Sequence, residues 1–287
     1  MRLAVIGDEL AQDCRVVAAT AAQLGFDAVE IRSVDDTPPH LLTDEAIAGL
    51  RAVLDERSLA VAGFAGPVFK SALPVTGEEF RQAADLLAGC SRRAALLGAP
   101  HLRVFTFYRD GSPEPEHAAR AVARVLGDDP LSVPLVVETG TRTNTPTMRH
   151  LLAFLDVLDR DDVGILWDPG NSVFSGWDPA PFPADLEPGL GRIRHVHVKD
   201  PDGTRGYVRL GDGDLNWPAI LARLAEIGYD GYVSLETHWR HGRLLTPEER
   251  DQPWGEPFSR GGYAASVECM QRLHRWVDQL TTVVTDP

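Results

Sequence analysis

Short apolar runs recur along the chain, and longer segments with helical spacing of apolar residues separate them. Eight runs rich in Val, Ile and Leu can be counted: Leu3–Ile6, Ala28–Ile31, Leu59–Phe64, Leu102–Phe107, Val133–Glu138, Val163–Asp168, Ile193–Val198 and Tyr232–Glu236. Alternation of such runs with helical segments is typical of βαβ units, which build parallel sheets. The pattern therefore predicts eight strands joined by crossover helices.

Glycines and capping residues mark several ends of the predicted helices. Three glycines follow an expected last helical residue, where a left-handed backbone can end a helix: Gly25, Gly98 and Gly228. Thr76 with Glu79 three residues later fits a capping box. Thr145 before Pro146 fits an N-cap with proline in the first turn of the helix.

Two stretches rich in proline interrupt the alternation. Residues 178–183 read Asp-Pro-Ala-Pro-Phe-Pro, so the sixth helix is predicted to be short or irregular. Residues 238–262 are polar and contain Pro247, Pro253 and Pro257. Excursions of this length in compact domains are often functional, so we predict a long loop at the mouth of the fold.

Eight strand–helix units can close into a barrel or open into a doubly wound sheet. A dinucleotide-binding sheet of the second kind carries a Gly-rich phosphate loop after its first strand. Residues 7–10 read Gly-Asp-Glu-Leu at that point and lack the GxGxxG pattern. We therefore predict an α/β fold, a single (β/α)8 TIM barrel over residues 1–287, with its mouth loop at about 238–262.

The net charge of the chain indicates which classes of binding partner are excluded. The formal net charge is −14, and no run of Lys and Arg forms a basic patch in the sequence. A negative field repels nucleic-acid phosphates and anionic membrane surfaces. We therefore expect a small-molecule partner, with no nucleic acid and no membrane, and leave a homo-oligomer open.

The cysteines and the first residues bear on the compartment. Cys14, Cys90 and Cys269 are far apart and form no CxxC pair, so we interpret them as buried thiols in a reducing compartment. The first segment resembles a strand rather than a secretory signal, and no apolar stretch is long enough to span a bilayer. The expectation is a cytoplasmic protein.

Polar residues stand at the ends of the last four predicted strands, where the loops of such barrels build active sites. They are Glu138, Asp168, His197 and Glu236. Three carboxylates and an imidazole in one mouth repel each other or take up protons unless a cation shares the space. One nitrogen among oxygen ligands suits Mn²⁺ or Mg²⁺, and also accepts Co²⁺, Zn²⁺ or Fe²⁺. We predict one divalent metal ion, with His195 behind His197 on the same face of its strand.

Four segments resemble the xylose isomerase-like superfamily, specifically its sugar phosphate isomerase/epimerase group. They are Trp167–Asn171, His195–Asp200, Leu210–Trp217 and Gly228–Glu236. The resemblance implies a TIM barrel with Glu138, Asp168, His197 and Glu236 as metal ligands, and with Glu138 and Glu236 as catalytic proton donor and acceptor. The implied substrate is a small sugar or polyol that reacts through an enediolate, whose charge a metal stabilises.

The resemblance also suggests substrate contacts, with one departure. Ketose epimerases of the group carry a histidine at the position of Asn171, which can hydrogen-bond a hydroxyl but cannot carry a proton at neutral pH. Lys199 and Arg205 are the candidates near a substrate-binding arginine of those enzymes, with Arg209 close by. His238 and Trp239 begin the mouth loop and are predicted to contact substrate. Glu30 is either a further mouth residue or a salt-bridge partner.

Three other functions stay open beside an isomerase or epimerase. A dehydratase of an inosose or dehydroshikimate is the runner-up, because an enediolate can expel a β-hydroxyl instead of being reprotonated. An apurinic-site endonuclease shares the barrel and the four residues, but it needs more histidines than this mouth offers and a less acidic protein. A non-catalytic barrel would be free to lose the four ligand types.

Overall fold

A computed structural model describes residues 1–128 and 130–283 of the chain. Its strands are β1 (Arg2–Ile6), β2 (Ala28–Ile31), β3 (Ala60–Val68), β4 (Leu102–Val104), β5 (Leu135–Glu138), β6 (Val163–Trp167), β7 (Ile193–Val198), β8 (Asp200–Asp202), β9 (Gly206–Val208) and β10 (Tyr232–Leu235). Eight of them are parallel and close into a barrel in the order β1-β10-β7-β6-β5-β4-β3-β2. The remaining two, β8 and β9, form an antiparallel hairpin after β7. The predicted (β/α)8 barrel is confirmed.

Helices follow the strands and cover the outside of the barrel. They are α1 (Cys14–Gln23), α2 (Asp44–Asp55), α3 (Gly77–Leu97), α4 (Pro115–Leu126), α5 (Met148–Leu158), α6 (Pro169–Phe174), α7 (Trp217–Glu226), α8 (Pro247–Asp251), α9 (Gly255–Ser259) and α10 (Gly262–Val283). Their apolar faces pack on the strands in one large core, in which Trp167 and Trp217 are fully buried. No helix in the described part of the chain is long and apolar enough to cross a membrane.

All eight predicted strands are present, and their bounds differ most at the third and the fourth. The third strand continues past its predicted end at Phe64 to Val68, whereas the fourth strand is shorter than predicted. It was expected to reach Phe107, but β4 ends at Val104. Phe107 has a left-handed backbone with φ of 58°, a conformation that a continuing strand cannot contain. The backbone of Phe107 instead donates to the carbonyl of Phe69, beyond the end of β3.

The local signals for helix ends hold at Thr76 but not at Thr145. Thr76 and Glu79 form the predicted capping box at the start of α3. The prediction of an N-cap at Thr145 is wrong, because α5 begins at Met148 with Thr147 at its N-cap position. The hydroxyl of Thr145 is buried and lies 2.9 Å from the hydroxyl of Thr106, so a contact between loops takes the place of a cap.

The two proline-rich stretches differ from each other in the structure. As predicted, α6 is short, with six residues. Residues 238–262 run as a long segment at the mouth, but they contain the short helices α8 and α9. Pro247 is the first residue of α8, where its missing N–H costs nothing, and Thr246 with Glu249 forms a capping box.

The inside of the barrel is polar toward the mouth. Side chains two residues apart on a strand share a face, so Tyr232, Ser234 and Glu236 follow one another along the inner face of the last strand. Ser234 lies 2.9 Å from the ring of His195, a neighbour on β7. Small alanines on the first three strands pack with Tyr232 at the other end.

Asp185 joins α5 to the end of β6 and provides a test of the fold. Its carboxylate accepts from the backbone N–H of Met148 at 2.9 Å and from Nε1 of Trp167 at 3.3 Å, in a buried position. We predict that Asp185→Ala lowers the free energy of unfolding by about 2 kcal/mol or more, because two buried donors lose their acceptor. Denaturant unfolding measures this, with the exposed Asp110→Ala as control. Equal stability of the two variants would contradict the structural role of Asp185.

Candidate metal centre and active site

The four strand-end residues predicted as ligands come together at the mouth of the barrel. Nδ1 of His197 lies 3.6 Å from Glu138, 3.7 Å from Asp168 and 3.4 Å from Glu236. One possible ligand atom of each residue lies within 4.8 Å of those of the other three, and all four side chains are buried. They are called the mouth cluster below.

The fold explains this convergence. Glu138 is the last residue of β5, and Glu236 directly follows β10. Asp168 directly follows β6 and accepts from the backbone N–H of Asn171, so it also caps α6. His197 is the next-to-last residue of β7. Because parallel strands end at the same rim, residues distant in sequence meet there.

The hydrogen bonds of His197 test whether the cluster fits a cation. Nε2 lies 3.1 Å from both carboxylate oxygens of Glu30, which assigns the ring proton to Nε2. Nδ1 is buried and has no hydrogen-bond partner among the described residues. Its lone pair therefore points toward three carboxylate oxygens, and a divalent cation satisfies all four atoms. The residues present fit the metal ion that the sequence suggests.

In the absence of a metal, the pKa values of the mouth cluster also show that its carboxylates need a positive charge beside them. Burial disfavours a charged His197, but Glu30 and the carboxylates of the cluster outweigh it, so the pKa of His197 lies well above its usual value. Burial also raises the pKa of Asp168, despite the nearby Lys199. A proton on the imidazole thus supplies the charge that a metal would bring.

A buried arginine holds each of the two glutamates predicted to be catalytic. Nη1 of Arg32 donates to Oε1 of Glu236, and Nη1 of Arg103 donates to Oε2 of Glu138. The other oxygen of each carboxylate is the one that faces His197. Burial acts to raise the pKa of Glu138, but Arg103 and His197 outweigh it and lower that pKa to about 2.

Sequence reasoning missed both arginines and left the role of Glu30 open. Arg32 directly follows β2 and Arg103 lies within β4, so a charged residue in or after an apolar run was the available signal. Arg32 also binds Asp8 and Glu9, which lie in a short turn after β1. An arginine at a strand end gives the same local sequence pattern whether its side chain faces the surface or the interior. The buried partners of these two arginines could therefore not be predicted from the sequence.

Lys199 and Asn171 line the cavity at the cluster, and both contact its members. Nζ of Lys199 lies 2.7 Å from Oδ2 of Asp168 and also contacts Glu236. The side-chain amide of Asn171 donates to Glu138 at 2.8 Å, and its oxygen accepts from the hydroxyl of Tyr207 at 3.3 Å. Asn171 thus helps to orient Glu138, in addition to the substrate contact predicted for it.

The remaining predicted substrate contacts divide into two groups. His238 lines the cavity, and its ring lies 2.8 Å from the carboxylate of Glu9. The structure does not bring Arg205 to the cavity, because its side chain is 75% exposed and pairs with Asp202 in the β8–β9 turn. Trp239 also lies away from the cavity, since it packs on the core and against the ring of His241.

One cavity of about 430 Å³ opens above the mouth cluster. Glu138, Glu236 and Lys199 are among the residues that line it at the cluster, and Phe105, Phe174 and Tyr207 supply aromatic walls. Cavities of this size with a few convergent polar groups are typical of small-molecule sites. The arrangement can bind a small ligand so that two carboxylates and a cation reach it.

Known proteins match this chain over between 31% and 98% of its length. An inosose dehydratase of Geobacillus kaustophilus is 25% identical over 269 residues, covering 80% of this chain and 81% of the relative. An uncharacterized protein of Methanocaldococcus jannaschii is 37% identical over 92 residues, and the match covers only 31% of that protein. A D-allulose 3-epimerase of Methylomonas sp. has the same fold, with a TM-score of 0.73, 19% identity and 98% of both chains covered.

The family assignment rests on a longer match. Residues 18–271 match the family described as xylose isomerase-like TIM barrel. This range contains seven of the eight barrel strands and all four residues of the mouth cluster. The chain belongs to the xylose isomerase-like TIM barrel family.

Proposed function

We propose that the protein is a metal-dependent isomerase or epimerase of a small sugar or polyol. The observation that carries the proposal is the geometry of Glu138 and Glu236. Each carboxylate is held by an arginine through one oxygen and presents the other to Nδ1 of His197, which has no hydrogen-bond partner among the described residues. In the barrel, β6 and β7 separate the strands that carry the two glutamates, so they approach the cavity from different sides.

The chain's own residues supply the proton transfer. One glutamate takes a proton from the carbon next to a carbonyl, and the other, which has to take up a proton before turnover, returns that proton to the enediolate. Arg32 and Arg103 hold the two carboxylates in place, so little reorganisation is needed when the proton moves. A bound divalent ion supplies charge stabilisation to the adjacent oxygens. Glu138, Asp168, His197 and Glu236 would hold that ion.

A dehydratase is the second candidate, and a specific comparison favours it. A relative that matches four-fifths of this chain is an inosose dehydratase. Both reactions begin with the same proton abstraction, and elimination then needs a donor for the leaving hydroxyl. Lys199 lines the cavity beside Glu236 and has protons to donate. The mouth cluster therefore serves both reactions.

Solvent deuterium separates the two reactions. The Mn²⁺-loaded protein is incubated in D₂O with a panel of ketoses, inososes and dehydroshikimate, and products are followed by NMR and mass spectrometry. We expect deuterium at the carbon next to the carbonyl with retention of all hydroxyl groups. Loss of water from a substrate would instead identify the dehydratase. Neither exchange nor dehydration across the panel would contradict the proposed chemistry.

Removing the charge of one glutamate tests its part in catalysis. We predict that Glu236→Gln lowers kcat at least about 100-fold, the usual contribution of a positioned acid or base. Glu116→Gln is the matched control, because Glu116 is exposed on α4. Circular dichroism checks that both variants fold. Wild-type turnover by Glu236→Gln would remove this residue from the catalytic role.

Metal binding is predicted to release a proton. The pKa of His197 lies well above its usual value without a metal, so the ring is protonated at neutral pH, whereas a metal binds only the neutral ring. Mn²⁺ affinity should therefore rise with pH until that pKa is passed. Calorimetry at pH 7 in buffers of different ionisation enthalpy should show about one proton released per ion. Binding without proton release would contradict this protonation state.

A further inference from the structure

The outer part of the cavity carries four cationic side chains that do not contact the mouth cluster. They are Lys70, Arg109, Arg142 and Arg250. The first three follow β3, β4 and β5, and Arg250 lies on α8 in the long mouth segment. Among the described residues that line the cavity, Asp251 is the one carboxylate outside the cluster. These four cations are called the basic wall below.

Asp251 can balance only part of the basic wall. Its carboxylate lies 3.1 Å from Arg142 and 4.0 Å from Lys70, and it also accepts from the hydroxyl of Tyr108 at 3.0 Å. One negative charge is therefore shared by two cations and a phenol. The basic wall therefore keeps an excess of positive charge even around Asp251.

Arg109 and Arg250 have no ion pair with a carboxylate in the part of the chain that the structure describes. Arg109 donates to the backbone carbonyls of Thr141 at 2.7 Å and Thr143 at 3.2 Å. Arg250 donates to the carbonyl of Leu245, and its guanidinium lies 5.3 Å from the ring centre of Phe174. Backbone carbonyls and an aromatic face fix the two guanidinium groups but do not neutralise them.

Burial makes this excess charge costly without a counter-ion. Burial lowers the pKa of Lys70 to about 8, and the neighbouring Arg103 adds to the effect. Burial and the nearby Arg142 lower the pKa of Arg109. Cations whose proton affinity is reduced in this way gain stability when an anion binds beside them.

The basic wall and the mouth cluster belong to one cavity. Phe174, on which Arg250 lies, stacks on Tyr207 with ring centres 4.9 Å apart. Tyr207 donates to Asn171, which in turn donates to Glu138. On another side, Nζ of Lys70 lies 5.5 Å from the ring centre of Phe105, a cavity residue. One small ligand can therefore contact the glutamates and the basic wall together.

The positive charge of the basic wall contrasts with the negative charge of the protein as a whole. With a formal net charge of −14, the chain repels anions at long range. An excess of cations inside this cavity is therefore not a consequence of general composition. Arginine guanidinium groups are well suited to carboxylates and phosphates, because they donate two parallel hydrogen bonds.

We propose that the substrate carries an oxyanion group, a carboxylate or a phosphate monoester, which Lys70, Arg109, Arg142 and Arg250 bind. Its carbonyl and hydroxyl groups then face Glu138 and Glu236 at the mouth cluster. This second part rests on the proposed function. The anion subsite itself depends only on the charges and contacts of the basic wall.

Matched sugars of different charge test the subsite. The Mn²⁺-loaded protein is titrated calorimetrically with D-fructose, D-fructose 6-phosphate and 5-keto-D-gluconate. We expect at least one anionic sugar to bind about tenfold or more tighter than D-fructose, with an affinity that falls as salt is added. Preference for the phosphate or for the carboxylate identifies the oxyanion. No preference for either anion, including no binding of either, overturns the proposal.

Charge-removing variants assign the preference to the basic wall. Arg109→Gln and Arg142→Gln should each weaken the preferred anion about tenfold and change D-fructose binding less than about twofold. Arg142 is 60% exposed, so its variant keeps the test valid if Arg109→Gln fails to fold. Arg205→Gln, on the hairpin away from the cavity, is the matched control. Equal weakening of neutral and anionic sugars, or an equal effect of the control, overturns the assignment.

The same samples separate this inference from the proposed function. Binding that prefers the anion without deuterium exchange keeps the subsite and rejects the proposed proton transfer. Exchange on neutral ketoses without preference for an anion keeps the proton transfer and rejects the subsite.

Discussion

Three buried carboxylates around one imidazole constrain the whole mouth of this barrel. Like charges close together in a medium of low dielectric constant repel strongly, so positive charge must lie among them. Arg32 and Arg103 supply it from behind, and Lys199 supplies it from the side. Among the described residues Nδ1 of His197 has no hydrogen-bond partner, and the proposed metal ion would lie beside it.

The barrel makes such a cluster possible because it brings strand ends together and rigidly orients them. Deeper in the barrel, side-chain hydrogen bonds support the cluster. Glu30 bonds to His195 and His197, and Ser234 bonds to His195. A carboxylate behind a ligating histidine fixes which ring nitrogen carries the proton. Polar groups that would be costly in an apolar barrel are thus paired with one another, and the interior remains packed.

The cavity has two parts with different chemistry, the mouth cluster and the basic wall. The mouth cluster holds the two glutamates on which the proposed proton abstraction depends, in either an isomerase or a dehydratase. The wall holds arginines that have no carboxylate partner among the described residues, and these suit an anionic end of a ligand. The long mouth segment adds to the wall, because Arg250 and Asp251 lie on α8. Members of one family can therefore share the residues at the strand ends, while the loops at the mouth differ and select the ligand.

The eight strands, the barrel and the four residues of the mouth cluster could all be predicted from the sequence. These depend on local patterns, an apolar run followed by a polar residue, which a chain displays without its partners. The folded structure was needed to show that Arg32 and Arg103 hold the glutamates, that Arg205 and Trp239 lie outside the cavity, and that the cations of the basic wall line it. These contacts join residues far apart in sequence, such as Arg32 and Glu236. Whether a charged side chain turns inward depends on which partners the fold brings to it, and that information is absent from any single segment.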